Sequence, residues 1–276
     1  MTVVLSGFAD EISPDLGEQL AVLAAERISH LELRSVWDTN VADLTGGQVG
    51  QLRRQLGDAG VAVSALGSPV GKTPVGAPLQ PELDRMRWIA DAACALGTGI
   101  VRVFSFYIPP GEPPGRYRQQ VIDRMAQLAA IAAAAGLVLA HENEKLIYGD
   151  RPERCADLIT AVGSPALRAT FDPANFVQCG VRPHEQAFPL LRPHLVYLQV
   201  KDAIAGTGQN VPAGHGDGQI GQTLAALRDD GFEGFVSLEP HLAQAGPAGG
   251  FSGPGPFRQA SQALKDLLGS LSISWR

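Results

Sequence analysis

The chain has 276 residues, 45% apolar and 18% charged, with a formal net charge of −6. That is enough for one large α/β unit with a sizeable core, and an acidic chain has no long-range attraction for phosphate backbones, which argues against a nucleic-acid binder. Cys94, Cys155 and Cys179 are scattered with no CxxC, against a disulfide framework or zinc knuckle. The start MTVVLSGFADEIS lacks a leader pattern and no run approaches the roughly 18 apolar residues that span a bilayer, so a cytoplasmic protein with no membrane role is expected.

In chain order, short apolar runs alternate with amphipathic stretches. Val3–Phe8 reads as a strand. Pro14–Arg27 reads as a helix, with Leu16, Leu20, Leu23 and Ala24 in one stripe, Ser13 as N-cap and Pro14 at the first helical position. Strand His30–Leu33 precedes helix Asp43–Ala59, which stops at Gly60. Strand Val61–Leu66 precedes helix Pro81–Leu96, stopped by Gly97. Strand Ile100–Phe104 precedes the alanine-rich helix Arg116–Ala135, stopped by Gly136. Strand Leu137–His141 pairs with helix Pro152–Val162, strand Ala169–Phe171 with helix His184–Leu191, strand Leu195–Val200 with helix Gln222–Asp230, and strand Gly234–Leu238 with helix Pro256–Leu268.

Eight strands alternating with eight helices demand a parallel sheet with crossover helices. The expected fold is α/β, a (β/α)8 TIM barrel formed by a single domain over 1–276, with its active site at the C-terminal face. A Rossmann-like sheet would want GxGxxG after the first strand, where this chain has GFADEIS. The Gly/Pro-rich segments Ser68–Pro78 and Ala243–Pro256 follow strands three and eight and read as pocket walls or lids.

Four of the apolar runs end in an oxygen-bearing side chain: Glu142, Asp172, Gln199 and Glu239. Side by side and parallel, those strands would bring three carboxylates and an amide to one mouth. Three carboxylates without a cation would repel one another, and a divalent metal removes that cost. All-oxygen donors favour Mg or Mn, with Co or Zn as alternatives. Lys72, Lys145 and Lys201 fall at the same face and suit a small polyhydroxylated or anionic ligand; Lys201 could equally balance Asp172 or Glu239. His241, two residues past Glu239, could face the site, whereas His141 should point away from Glu142 by strand alternation. Arg34, Ser68, Lys72, Arg102 and Asn175 are the candidate substrate-binding residues.

The segments AHENE (140–144), FDPANF (171–176), QVKDA (199–203), GHGDG (214–218) and LEPHL (238–242), with GFADEI near the start and LGSPVGK (66–72), resemble the xylose isomerase-like TIM-barrel superfamily. This group includes sugar-phosphate isomerases and epimerases, hydroxypyruvate isomerase and inosose-processing enzymes. The resemblance implies Glu142, Asp172, Gln199 and Glu239 as metal ligands. Epimerases of the group usually carry histidine at the third position; hydroxypyruvate isomerase-like members resemble this chain in carrying glutamine. Asn175 stands where ketose 3-epimerases tend to have histidine, which departs from that branch. Asn175 and Gln199 also replace two histidines of endonuclease IV, against a DNA-repair role. The implied activity is a metal-dependent isomerase or epimerase of a small sugar, keto-sugar or sugar phosphate. It would act through an enediolate, with Glu142 and Glu239 exchanging the proton and Lys201 or His241 steadying the oxyanion. The alternatives are a lyase or dehydratase of a keto-inositol or keto-glycoside at the same site, and a non-catalytic sugar-binding protein. The only partner implied is a small carbohydrate, with no nucleic acid and no membrane; a homodimer or homotetramer is compatible with the resemblance.

Overall fold

The structure is a computed structural model that describes residues 1–243, 245–246, 249–250 and 252–276. Nine strands form one all-parallel sheet: β1 (Thr2–Gly7), β2 (His30–Leu33), β3 (Ala62–Gly67), β4 (Ile100–Val103), β5 (Val138–Glu142), β6 (Leu167–Phe171), β7 (Leu195–Val200), β8 (Phe235–Leu238) and β9 (Ser274–Trp275). The order across the sheet is β9-β1-β8-β7-β6-β5-β4-β3-β2. β2 packs back against β1, so the sheet curls into the expected TIM barrel. Closing strand β9 pairs Thr2 with Ser274 and Val3 with Trp275, an element not expected from the sequence.

Around the sheet lie α1 (Leu16–Ala25), α2 (Gly46–Asp58), α3 (Gln80–Leu96), α4 (Arg118–Ala134), α5 (Pro152–Val162), α6 (Pro173–Gln178), α7 (Phe188–Leu191), α8 (Ile220–Asp229) and α9 (Pro254–Ser270). Their ends follow local chemistry. Thr45 and Gln48 close a reciprocal capping box on α2, and left-handed Gly97 and Gly163 terminate α3 and α5. α1 departs from expectation: Asp15 rather than Ser13 is the cap, its carboxylate accepting from the Glu18 N–H, so Pro14 lies outside the helix. The stretch expected as helix His184–Leu191 is a wide π-type turn over Pro183–Ala187 followed by the single turn of α7.

The outward side chains of the sheet, such as Val3, Leu5, Val101, Leu139, Leu198 and Val236, pack on the apolar faces of the helices as one continuous core. The barrel interior is polar. At its base Ser6 Oγ bonds Ser64 Oγ (2.6 Å), which bonds the Tyr197 hydroxyl (2.9 Å). From Tyr197 the period-2 alternation of β7 carries Gln199 and then Lys201 up the interior toward the mouth. Two irregularities interrupt the ladders, between Leu31 and Glu32 in β2 and between Ala169 and Thr170 in β6.

The segment Ser68–Pro78 is firmly tied as a wall. Phe104 N–H donates to Val70 O, Phe106 N–H to Gly71 O, Tyr107 N–H to Thr73 O and Val75 N–H to Tyr107 O, each at 2.9 Å. Of the segment Ala243–Pro256, residues 244, 247, 248 and 251 lie outside the described residues. Beyond them Ser252 and Gly253 donate their N–H groups to Glu11 O. No helix among the described residues is long and apolar enough to cross a membrane.

Candidate active site

A cavity of about 670 Å³ opens at the C-terminal ends of the strands. Its lining includes Arg34, Lys72, Arg102, Glu142, Asn175, Lys201, Glu239 and His241 from the expected set, together with Tyr107, Glu144, Lys145, Gln178 and Asn210. Asp172 and Gln199 are fully buried beneath this floor. Ser68 does not reach the cavity: its hydroxyl donates to Arg102 O at 2.6 Å and it supports the wall.

Glu142, Asp172 and Glu239 converge as the strand ends predicted, with one ligand atom from each within 4.8 Å of the others. The three carboxylates are not bare, however. Lys201 Nζ bridges Asp172 Oδ2 (2.9 Å) and Glu239 Oε2 (2.8 Å). Arg34 reaches Glu239 Oε1 at 2.9 Å while its other edge grips Asp10. Arg102 reaches Glu142 Oε2 at 2.9 Å, and Asn175 Nδ2 donates to Glu142 Oε1 at 2.9 Å. The alternative reading of Lys201, as a charge balance, holds for both carboxylates at once. Repulsion alone therefore does not demand a metal, because the chain supplies its own counter-ions.

The donor set still fits a hard divalent cation. It offers three clustered carboxylates and, below them, Gln199 Oε1, a buried acceptor with no hydrogen-bond partner among the described residues. Glu142, Asp172 and Glu239 could hold such an ion. A second group, Glu11, Glu239 and His241, has the same compactness and shares Glu239.

The environments push the acids apart. Burial raises Glu142, offset only in part by Arg102, and Glu239 adds to the rise. Burial pushes Asp172 up to about 7 against the pull of Lys201. Burial also opposes ionisation of Glu239, but the charges of Lys201 and Arg34 outweigh it and hold that group well below the usual carboxylate range. Lys201 stays charged: burial works against it, yet Asp172, Glu239 and Glu142 raise it well above the ordinary lysine value. Burial pushes Glu11 and Glu32 each up to about 8 and His241 down to about 3. His241 Nε2 lies 3.2 Å from Glu11 Oε1, a close approach of two groups whose charged forms are both disfavoured near pH 7.

Two further features belong to the site. Lys72 and Lys145 stand at the rim, Lys72 3.5 Å from Glu144 Oε2 and Lys145 2.9 Å from Gln178 Oε1. Just past the C-terminal end of β7, Asp202 gathers the GHGDG loop: its carboxylate accepts from the N–H groups of Ala203, Gly214, Gly216 and Gly218 at 2.8–3.0 Å. A Cβ at Gly216 would lie 2.5 Å from Asp202 Oδ1, so only glycine allows this approach. Glu32 was not singled out from the sequence. The signal was there in HLELR, an acid inside an apolar strand two residues before Arg34 and on the same face.

Comparison with known proteins agrees with this fold. A curated relative, 2-epi-5-epi-valiolone 7-phosphate 2-epimerase of Actinoplanes sp. (strain ATCC 31044 / CBS 674.73 / SE50/110), is 33% identical over 195 residues, 66% of this chain and 66% of that protein, just under two thirds of its length. Among solved structures, a D-tagatose 3-epimerase-like protein superposes with a TM-score of 0.78 at 15% identity, covering 99% of this chain and 98% of the other. IOLI protein with a bound zinc atom gives 0.78 at 15% identity, covering 98% and 99%. At such identities these two show the fold alone. The sequence model of the xylose isomerase-like TIM barrel matches residues 23–267. With most of its length matched, the chain belongs to the xylose isomerase-like TIM-barrel family.

Proposed function

We propose that the chain is a divalent-metal-dependent epimerase or isomerase that moves a proton at the carbon next to a ketone of a small polyhydroxylated substrate. The observation that carries this reading is the pair Glu142 and Glu239, two carboxylates from β5 and the end of β8 brought together in one buried cluster with opposite proton affinities. An ionised Glu239, steadied by Arg34 and Lys201, suits a base that takes the proton from carbon. Glu142, oriented by Arg102 and Asn175, suits the acid that returns it from the other side. The Lys201 ammonium lies between Asp172 and Glu239, where it can steady the oxyanion of an enediolate. A bound cation, with Mg or Mn preferred by the oxygen donors, supplies Lewis-acid polarisation of the substrate carbonyl. Glu142, Asp172, Gln199 and Glu239 are the residues that would hold it.

The named substrate of the curated relative, a phosphorylated valiolone, supports a keto-cyclitol or sugar phosphate here. Lys72 and Lys145 at the rim are the groups that would meet a phosphate. The test is incubation of ketoses, their phosphates and keto-cyclitol phosphates in deuterated water with Mn. One carbon should take up deuterium in a product otherwise unchanged in mass, and Glu239→Gln should slow that exchange by about 10³-fold. Loss of one water from the substrate instead would replace epimerisation by elimination. Absence of exchange and turnover across the panel would sink the enzyme reading.

A further inference from the structure

Gln199 presents a problem that its surroundings solve. A primary amide carries a donor at one end and an acceptor at the other, and only the oxygen can ligate a hard cation. Half a turn about the last side-chain bond exchanges the two at little cost unless something fixes it. Here Nε2 donates to Glu32 Oε1 at 2.9 Å, across the barrel from β7 to β2. The oxygen, on the other limb of the amide, is turned away from that carboxyl and is buried without a partner among the described residues. The ladder between β6 and β7 sets Phe171 beside Leu198, so Gln199 lies level with Asp172 at the base of the carboxylate cluster.

Glu32 itself is costly. It is fully buried between Leu31 and Leu33 of β2, and a buried carboxyl is kept only where its bonds are used. The register to β3 slips just before Glu32: Leu31 pairs with Val63 and Glu32 with Ala65, so the extra residue is Ser64 of β3. The carbonyl-type oxygen of a carboxyl accepts from an amide whether or not the group is ionised, so the contact does not depend on the charge of Glu32.

We propose that Glu32 is a positioning residue that holds the Gln199 amide with its oxygen toward the cation site, and so makes the glutamine a ligand. This rests on the cation-binding reading above. The experiment is a double-mutant cycle on the full chain, read as Mn affinity by isothermal titration calorimetry with the metal alone. Gln199→Leu and Glu32→Leu should each weaken Mn binding about tenfold, in the range typical of lost outer partners of metal ligands. The double variant should bind no more weakly than Gln199→Leu, because Glu32 then has nothing to orient. Glu32→Gln, which keeps an acceptor oxygen, should stay near the parent affinity. If Glu32→Leu does not fold, Glu32→Met takes its place in the cycle. Additive effects, or a Glu32 variant that leaves Mn affinity unchanged while Gln199→Leu weakens it, would overturn the positioning role and leave the cation reading standing. A parent protein that binds no Mn would overturn both.

Discussion

Lys201 shows most clearly how the site manages charge. Its ammonium touches two of the three carboxylates that a cation would use. Two charges about 4 Å apart interact by about 4 kcal/mol per charge product at the effective dielectric of a protein site. Removing the ammonium should therefore tighten Mn binding at least tenfold in Lys201→Met, measured by calorimetry, while kcat falls. Without Mn the same variant should melt at a lower temperature, since two buried acids lose their partner, and Mn should restore the loss. Unchanged affinity would show that lysine and cation do not share the carboxylates. Glu142, Asp172 and Glu239 were legible as a set because each terminates an apolar run. Lys201 was legible as their charge balance, but the two arginines were not legible as counter-ions. Arg34 lies 205 positions from Glu239 and Arg102 lies 40 from Glu142, and no local pattern announces a pairing that only barrel closure creates.

At the scale of elements, the wall after β3 is set by backbone bonding rather than by packing of large side chains. Gly71 is its pivot. Its φ is +85°, its N–H donates to Glu82 Oε2 at 2.8 Å, and a Cβ there would meet Phe104 O at 2.0 Å. Because the obstacle is backbone, nothing can rotate aside. Gly71→Ala should cost more than about 2 kcal/mol in urea unfolding, from the left-handed backbone together with the clash. A cost within about 0.5 kcal/mol would mean that the wall can reshape. The Gly/Pro content marked this segment as irregular, but its hydrogen bonds to 104–107 were beyond the reach of composition. The longer helices were legible from their 3.6-residue stripes and glycine stops. α6 was missed because six residues are too few to show a period, although Asp172-Pro173 is itself a start signal: the Asp172 carboxylate caps it by accepting from the Asn175 N–H.

For the whole molecule, alternation alone carried the barrel, since eight strand–helix units leave little choice of topology. Two-residue β9 had no comparable signal. One outward-facing group makes a separable contribution to stability across pH. His141 is buried against Gly149, and burial pushes it down to about 4. An unfolded chain takes up this proton near the ordinary value of 6.5, but the folded chain does so only near 4. The unfolded state binds more protons in that window, so stability present above pH 6.5 is lost as pH falls toward 4, by about 3 kcal/mol at most. Urea unfolding of the parent and of His141→Asn at pH 7 and pH 4.5 should show the smaller loss in the variant; equal losses would remove His141 from the account.

The glycine loop gathered by Asp202 bears on what the enzyme can hold. With Gly214, Gly216 and Gly218 already donating to that carboxylate, the loop is a socket plugged by the chain's own anion. An incoming phosphate finds no spare amide donors in it. On the reading proposed above, Lys72 and Lys145, which line the strand-end cavity, are left as the groups to meet a substrate's acidic end.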